Sequence, residues 1–316
     1  MRRTEKEKDA FRRYVQEILP EARIETTADG KNKNIILGDP LTAKVVCTAH
    51  YDTPASSLFP NLMVPRNKMV YFLCQFVPVV LILTAAMVGG WLFAARFARP
   101  GDADFMRYFL LPYLFIYYGL YFVMYRVFKN PNNYNDNTSG VATVLSVVEK
   151  LSEEQRAATA FILFDNEELG KKGSKAYYKD HKEAMKDRLL VNFDCVGNGE
   201  HILFISMKEA EKRGEYQKLQ ASFPGGEDFR TYFYPMKGSE SNSDYKNFPC
   251  GIGCMACRQT KGGLFYTPYL HTPKDVVAKN ENIDFIAEGM RGFVSALCSE
   301  NAVRYGDNTD NAVVGE

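Results

Sequence analysis

The side chains that could hold a metal or move a proton lie in short polar clusters. They are AHYD with His50 and Asp52, NDNTSG with Asp136, FDNEEL with Glu167 and Glu168, NFDC with Asp194, and YLHTPKD with His271. In AHYD the spacing lets one member bind metal while the other accepts the imidazole N–H, the arrangement that orients a ligating histidine. Asp136 directly precedes a helix start, where an acid can equally serve as a plain cap. Glu167 and Glu168 are adjacent acids at the end of an apolar run, and they repel unless a cation holds them or one keeps its proton. Asp194 and His271, each taken alone, read as ordinary loop residues.

The elements that must carry these residues follow from hydrophobic periodicity. Residues 4–19 form a charged amphipathic helix with Phe11, Tyr14, Val15 and Ile18 on one side. NIILGD and AKVVCTAHYDT are β-branched runs that fit strands, the second ending at His50. SGVATVLSVVEKL, GSKAYYKDHKEAMK, KEAEKRGEYQKLQ and NIDFIAEGMRGFVSALC predict helices, and ATAFILF, RLLVNFD and HILFISM predict strands. Strands alternating with helices indicate an α/β domain with a largely parallel central sheet. In such sheets functional groups collect beyond the carboxyl ends of strands, which is where these clusters fall.

The ordered set H-x-D, D-x-x-S-G, E-E-x-G, D and H-T-x-x-D resembles the co-catalytic zinc aminopeptidases, the family that also includes glutamate carboxypeptidase and the glutaminyl cyclases. The resemblance covers residues 44–53 and 129 to about 300, and GSESNSDYKNF adds a Ser-Asp element at Ser243 and Asp244. Tyr245 stands there where many members have His, so Asp244 is assigned no metal. The resemblance implies a zinc-exopeptidase-like three-layer fold and two zinc ions bridged by Asp136. Glu168 and His271 would complete one site, His50 and Asp194 the other. Asp52 would buttress His50, and Glu167 would be the general base. Two imidazoles and three carboxylates suit zinc chemically. The implied activity is removal of N-terminal residues from peptides; the alternatives are a glutaminyl-cyclase-like acyltransferase and a non-catalytic membrane scaffold.

Cys250, Cys254 and Cys257 lack a fourth partner at finger-like spacing and read as core thiols. His181 and His201 lie in polar sequence and read as solvated. LFYTPYL ahead of His271 reads as core aromatic packing, with a specificity pocket as the alternative.

Lys and Arg total 39 against 38 Asp and Glu, which gives no electrostatic footprint for a nucleic acid partner. Within this balanced chain, 69–95 and 108–125 carry no charge, and both are long enough to span a bilayer. Four regions are therefore expected. Residues 1–66 supply the first helix and strands, 67–128 an inserted transmembrane hairpin, 129–302 the rest of the catalytic domain, and 303–316 a disordered tail. The oligomeric state is not written in the sequence. Seven unpaired cysteines and the charged start MRRTEKEKDA place both termini and the catalytic domain in the cytoplasm. Only the turn from Arg96 to Arg107 would lie outside. The hairpin leaves after the His50 strand and returns before Asp136, which puts the site at the bilayer surface.

Overall fold

A computed structural model of the chain describes residues 1–57, 61–123 and 128–306. Helix α1 (Glu5–Ile18) starts with a reciprocal cap in which the Thr4 hydroxyl accepts from the Glu7 amide and Glu7 accepts from the Thr4 N–H. The chain then forms β1 (Arg23–Thr26), β2 (Lys33–Leu37), β3 (Val45–His50) and the short β4 (Asn61–Met63). Helices α2 (Lys68–Ala94) and α3 (Phe105–Phe122) follow as a hairpin. A bent turn at Tyr134–Ser139 leads into α4 (Gly140–Lys150), α5 (Glu153–Ala157), β5 (Thr159–Phe164), α6 (Lys172–Asp180) and α7 (Lys182–Met185). Next come β6 (Leu189–Phe193), β7 (His201–Ser206), α8 (Lys208–Glu211), α9 (Gly214–Ala221) and β8 (Arg230–Pro235). Strands β9 (Gly251–Gln259) and β10 (Phe265–Leu270) and helix α10 (Asn280–Gly306) complete the order.

The strands make one mixed sheet whose centre, β5-β3-β6-β9, is parallel. On one side β2 and β1 continue antiparallel, and on the other β10 and β4 do the same. β7 pairs antiparallel with β9 and carries β8 parallel on its far side. Every residue of β3, β5, β6 and β7 is buried, as expected for strands covered on both faces. One face packs Val45, Cys47 and Ala49 against Val15 of α1, Val144 and Val147 of α4, and Met290 and Phe293 of α10. The other packs Val46, Ile162 and Leu190 against Tyr177, Met185 and Phe248. The result is a three-layer α/β domain.

Some sequence expectations need correction. The helix expected over GSKAYYKDHKEAMK divides at His181 into α6 and α7, and KEAEKRGEYQKLQ divides before Gly214 into α8 and α9. His201 is buried on β7 beside the Tyr232 hydroxyl rather than solvated, and burial lowers its pKa. Cys254 and Cys257 are buried on β9, as core thiols should be. Helix α10 runs to Gly306, and 307–316 lie outside the described residues.

The hairpin helices pack closely. Buried Ala86, Gly90 and Ala94 repeat every fourth residue on α2, and a Cβ at Gly90 would meet Phe109 at 3.1 Å. Their other faces are apolar and exposed, as at Leu73, Phe76, Leu92, Leu111 and Phe115. Of the expected pair, only α2 among the described residues is long and apolar enough to cross a membrane. Tyr108, Tyr113, Tyr117, Tyr118 and Tyr121 make α3 more polar, and 124–127 at the end of the expected second span lie outside the described residues.

Candidate metal centre

The parallel centre of the sheet delivers most of the candidate ligands to one end. His50 is the last residue of β3, Glu167 and Glu168 lie three and four residues beyond β5, and Asp194 directly follows β6. His271 directly follows β10, and Asp136 sits in the bent turn before α4.

The two carboxylate oxygens of Asp136 face in different directions. Oδ1 lies 3.4 Å from His50 Nε2, which is itself 3.6 Å from an Asp194 oxygen. Oδ2 lies 3.1 Å from His271 Nε2, which is 3.4 Å from a Glu168 oxygen. Two groups of three ligand atoms result, His50–Asp136–Asp194 and Asp136–Glu168–His271, with the atoms of each within 4.8 Å of one another. The second Glu168 oxygen, Oε1, is buried without a hydrogen-bond partner. A buried carboxylate oxygen left in this state is costly unless a cation meets it. The donor set, two imidazoles and three carboxylates, fits a zinc pair. Glu167 also lies within reach, in a group with His50 and Glu168.

Asp52 does more than face His50. Its carboxylate accepts the backbone N–H of Glu167 at 2.9 Å and of Glu168 at 3.1 Å, tying the end of β3 to the turn that carries both acids. His50 Nδ1 lies 3.2 Å from the Asp52 carbonyl and 3.4 Å from its carboxylate. Asp275 is the corresponding brace for the central ligand, accepting from the amides of Asn135 at 2.9 Å and Asp136 at 3.0 Å. Sequence reading assigned Asp275 no role, although it closes the H-T-x-x-D element.

The amide side chains of NDNTSG fix the bent turn against β6. Asn137 donates to the Phe193 carbonyl at 2.9 Å, and Asn135 accepts from the Gly197 amide at 2.8 Å. Gly140 is required there, because a Cβ would lie 2.3 Å from both Asn137 Oδ1 and the Phe193 carbonyl. The five non-glycine residues with positive φ among the described residues are Asn166, Lys171, Cys195, Tyr269 and His271, all next to the site. Strained backbone of this kind concentrates where a side chain must be aimed.

The N-terminal segment was not expected here at all. The Arg2 guanidinium donates to the Tyr51 carbonyl and, at 3.0 Å, to the Thr138 hydroxyl, which links the His50 and Asp136 segments. Burial pulls Arg2 down to about 10, although Asp52 and Asp136 favour its charge. Behind it, Lys8 forms a buried ion pair with Asp165 at 2.7 Å.

The electrostatics are those of acids packed around two imidazoles. Burial pushes the Glu167 and Glu168 carboxyls well above the ordinary range; neighbouring acids add to this and His50 opposes it. Burial works against charge on His50, yet Asp136, Asp194 and Asp52 outweigh it and hold the ring well above its ordinary value. Asp244 is buried and raised to about 7, mainly by desolvation, with Ser174 bonded to one of its oxygens. It joins no ligand group. Tyr245 places its ring against Gly253 and donates its hydroxyl to Met236 Sδ.

A sequence model of peptidase family M28 matches residues 128–294. No curated protein matches the chain significantly. Among solved structures, the Legionella pneumophila LapA aminopeptidase is similar at TM-score 0.50 and 12% identity, over 93% of this chain and 64% of that one. Porphyromonas gingivalis glutaminyl cyclase is similar at TM-score 0.50 and 13% identity, over 92% of this chain and 90% of that one. BSAP, a zinc aminopeptidase from Bacillus subtilis, matches at TM-score 0.44 and 14% identity, over 84% of this chain and 50% of that one. The chain thus spans between half and two-thirds of the length of these two aminopeptidases.

Proposed function

Because the chain belongs to peptidase family M28, we propose that it is a membrane-anchored exopeptidase that removes N-terminal residues from peptides with the help of two zinc ions. The observation that carries this reading is the divergence of the Asp136 oxygens toward two separate ligand pairs. His50 and Asp194 would hold one ion with Asp136, and Glu168 and His271 the other. Bound there, the ions would supply Lewis acidity toward a scissile carbonyl and acidify water.

The chain's own residues do the rest. Glu167 takes the proton of the attacking water and hands it to the departing amine, which leaves as the carbon–nitrogen bond breaks. Burial, with Glu168, Asp244 and Asp194 nearby, raises the Glu167 carboxyl above the ordinary carboxylate range. Asp52 holds Glu167 and Glu168 at their amides, and Asp275 holds Asp136. A non-catalytic scaffold would have no use for so many buried acids, whose desolvation is costly without a cation.

Helix α2 supports the membrane anchor. Its 27 residues reach about 40 Å at 1.5 Å per residue, enough for a hydrocarbon core roughly 30 Å thick. Helix α3 packs beside it, and the exposed apolar side chains of both would face lipid. The proposed orientation keeps the catalytic domain in the cytoplasm.

Metal analysis of the purified full chain, combined with a panel of fluorogenic aminoacyl amides, tests the proposal. Two zinc ions per chain, activity on free α-amines and none on acetylated peptides are expected. Cyclisation of N-terminal glutaminyl peptides with no hydrolysis of aminoacyl amides would replace the exopeptidase reading with the cyclase one.

A further inference from the structure

The exposed large apolar side chains outside the hairpin are not scattered. Apart from three in and beside α1 and Leu41 in a turn, those among the described residues are Leu62, Phe128, Tyr134, Leu169, Tyr269 and Val276. Each adjoins the site or the root of the hairpin in sequence: Tyr134 is two residues before Asp136, Leu169 follows Glu168, Tyr269 is two before His271, and Val276 follows Asp275. Tyr269 and Leu169 are 43% and 41% exposed, although they stand beside half-buried candidate ligands. A soluble enzyme of this size has no need to crowd its exposed apolar groups around one mouth.

That mouth is bonded directly to the hairpin. The Ser57 amide donates to the His271 carbonyl at 2.8 Å, and the neighbouring Ser56 amide donates to the carbonyl of Phe128, where the chain returns from α3, at 3.0 Å. Ala55 bridges Lys129. On the outgoing side β4 pairs with β10, the strand that ends at His271, and Lys68 at the start of α2 pairs with Glu240 at 3.0 Å. Arg66 stacks on Tyr234 and donates to the Ser239 hydroxyl at 2.8 Å. Described residues at both ends of the hairpin are therefore bonded to the walls of the site.

The same wall carries three lysines. Lys171, three residues past Glu168, bonds Asn242, and Lys246 lies near enough to Lys171, Glu240 and Lys68 that, after burial itself, the two lysines lower its pKa while Glu240 raises it. An apolar rim backed by lysines suits the interface of an anionic bilayer, which attracts nearby basic residues.

We propose that the mouth of the site lies in the headgroup region and that its substrates are peptides held at the bilayer, with their free amino end lifted into the metal centre past the apolar rim. This rests on the membrane-anchored exopeptidase reading and names its substrate class. Such substrates gain by effective concentration, since the tether confines them to the layer in which the mouth opens.

The test uses the full chain, zinc-loaded, in vesicles of phosphatidylcholine with phosphatidylglycerol. Two peptides with the same N-terminal residues are compared, one soluble and one carrying a palmitoyl chain at its C-terminal lysine. Hydrolysis of the tethered peptide at least tenfold faster is expected. Independently, Leu169→Trp in a Trp91→Phe background should be quenched by lipids brominated near the headgroups. Equal rates and an unquenched tryptophan would overturn the inference while leaving the peptidase reading intact. Hydrolysis of neither peptide would overturn the reading on which it rests.

Discussion

Glu167 and Glu168 are chemically identical neighbours with different expected duties. Glu168 sits in the group with Asp136 and His271, whereas Glu167 is the proposed proton shuttle. Glu167→Gln should keep zinc content and folding while lowering turnover about 100-fold or more, as measured by steady-state kinetics beside metal analysis. Near-normal turnover would remove Glu167 from the mechanism. Protonation gives a second expectation. In the metal-free protein His50 and His271 have raised pKa values, as do Glu167 and Glu168, with Asp244 raised to about 7 and Asp275 to about 6. The folded state then keeps protons that the unfolded chain has released, so stability falls as pH rises. For the acids the loss begins above about pH 4, their unfolded value, and for the histidines above about 6.5. The Tm of chelator-treated protein should therefore drop from pH 5 to pH 8, and zinc should restore most at the upper end, because binding displaces those protons. A flat or rising Tm without metal would contradict the site's electrostatics. At this scale the sequence exposed the ligand types well, because H-x-D and E-E are visible as residues. The braces were less legible: Asp275 works through two backbone amides 139 and 140 residues away, and spacing along the chain carries no trace of that.

Strands buried on both faces and helices with a single apolar stripe were readable as elements; edge and glycine-rich strands were not. β9 reads GIGCMACRQ, which has neither alternation nor β-branched enrichment, yet it joins β6, β7 and β10. Its glycines have a packing reason, since a Cβ at Gly253 would strike the Tyr245 ring at 2.4 Å. The helix breaks at His181 and Gly214 also escaped, because hydrophobic periodicity carries across a short interruption. Gly140 is the position where an element and the site meet. Gly140→Ala should force α4 and its leading turn away from β6, since the 2.3 Å approach to the Phe193 carbonyl leaves no room. The expected result is zinc affinity lowered at least tenfold, read by competition with a chromogenic chelator, together with a lower Tm. Wild-type affinity would show that the turn holds Asp136 without that close approach.

For the molecule as a whole, strands that precede and follow the hairpin in sequence share one sheet, whereas α3 does not reach the apolarity of α2. Orientation can be read by labelling. With the catalytic domain in the cytoplasm, an impermeant thiol reagent applied to intact cells should modify a cysteine introduced at Ala103 and spare one at Glu316; the reverse pattern would place the domain outside. The order of the strands also bears on biosynthesis. β3 is paired on one side by β5 and on the other by β6, and both follow the hairpin in the chain. When α2 emerges from the ribosome, VVCTAH has neither of its sheet neighbours, so in the proposed anchored protein insertion into the bilayer would precede closure of the sheet. An unpaired apolar strand is an aggregation hazard while it waits, and early tethering to a membrane keeps such chains apart. The last candidate ligand, His271, arrives only with β10, so in the proposed scheme the Asp136–Glu168–His271 set is completed well after the His50–Asp136–Asp194 set. A proposed second ion would then join last, and the nascent chain would stay inert until β10 is in place.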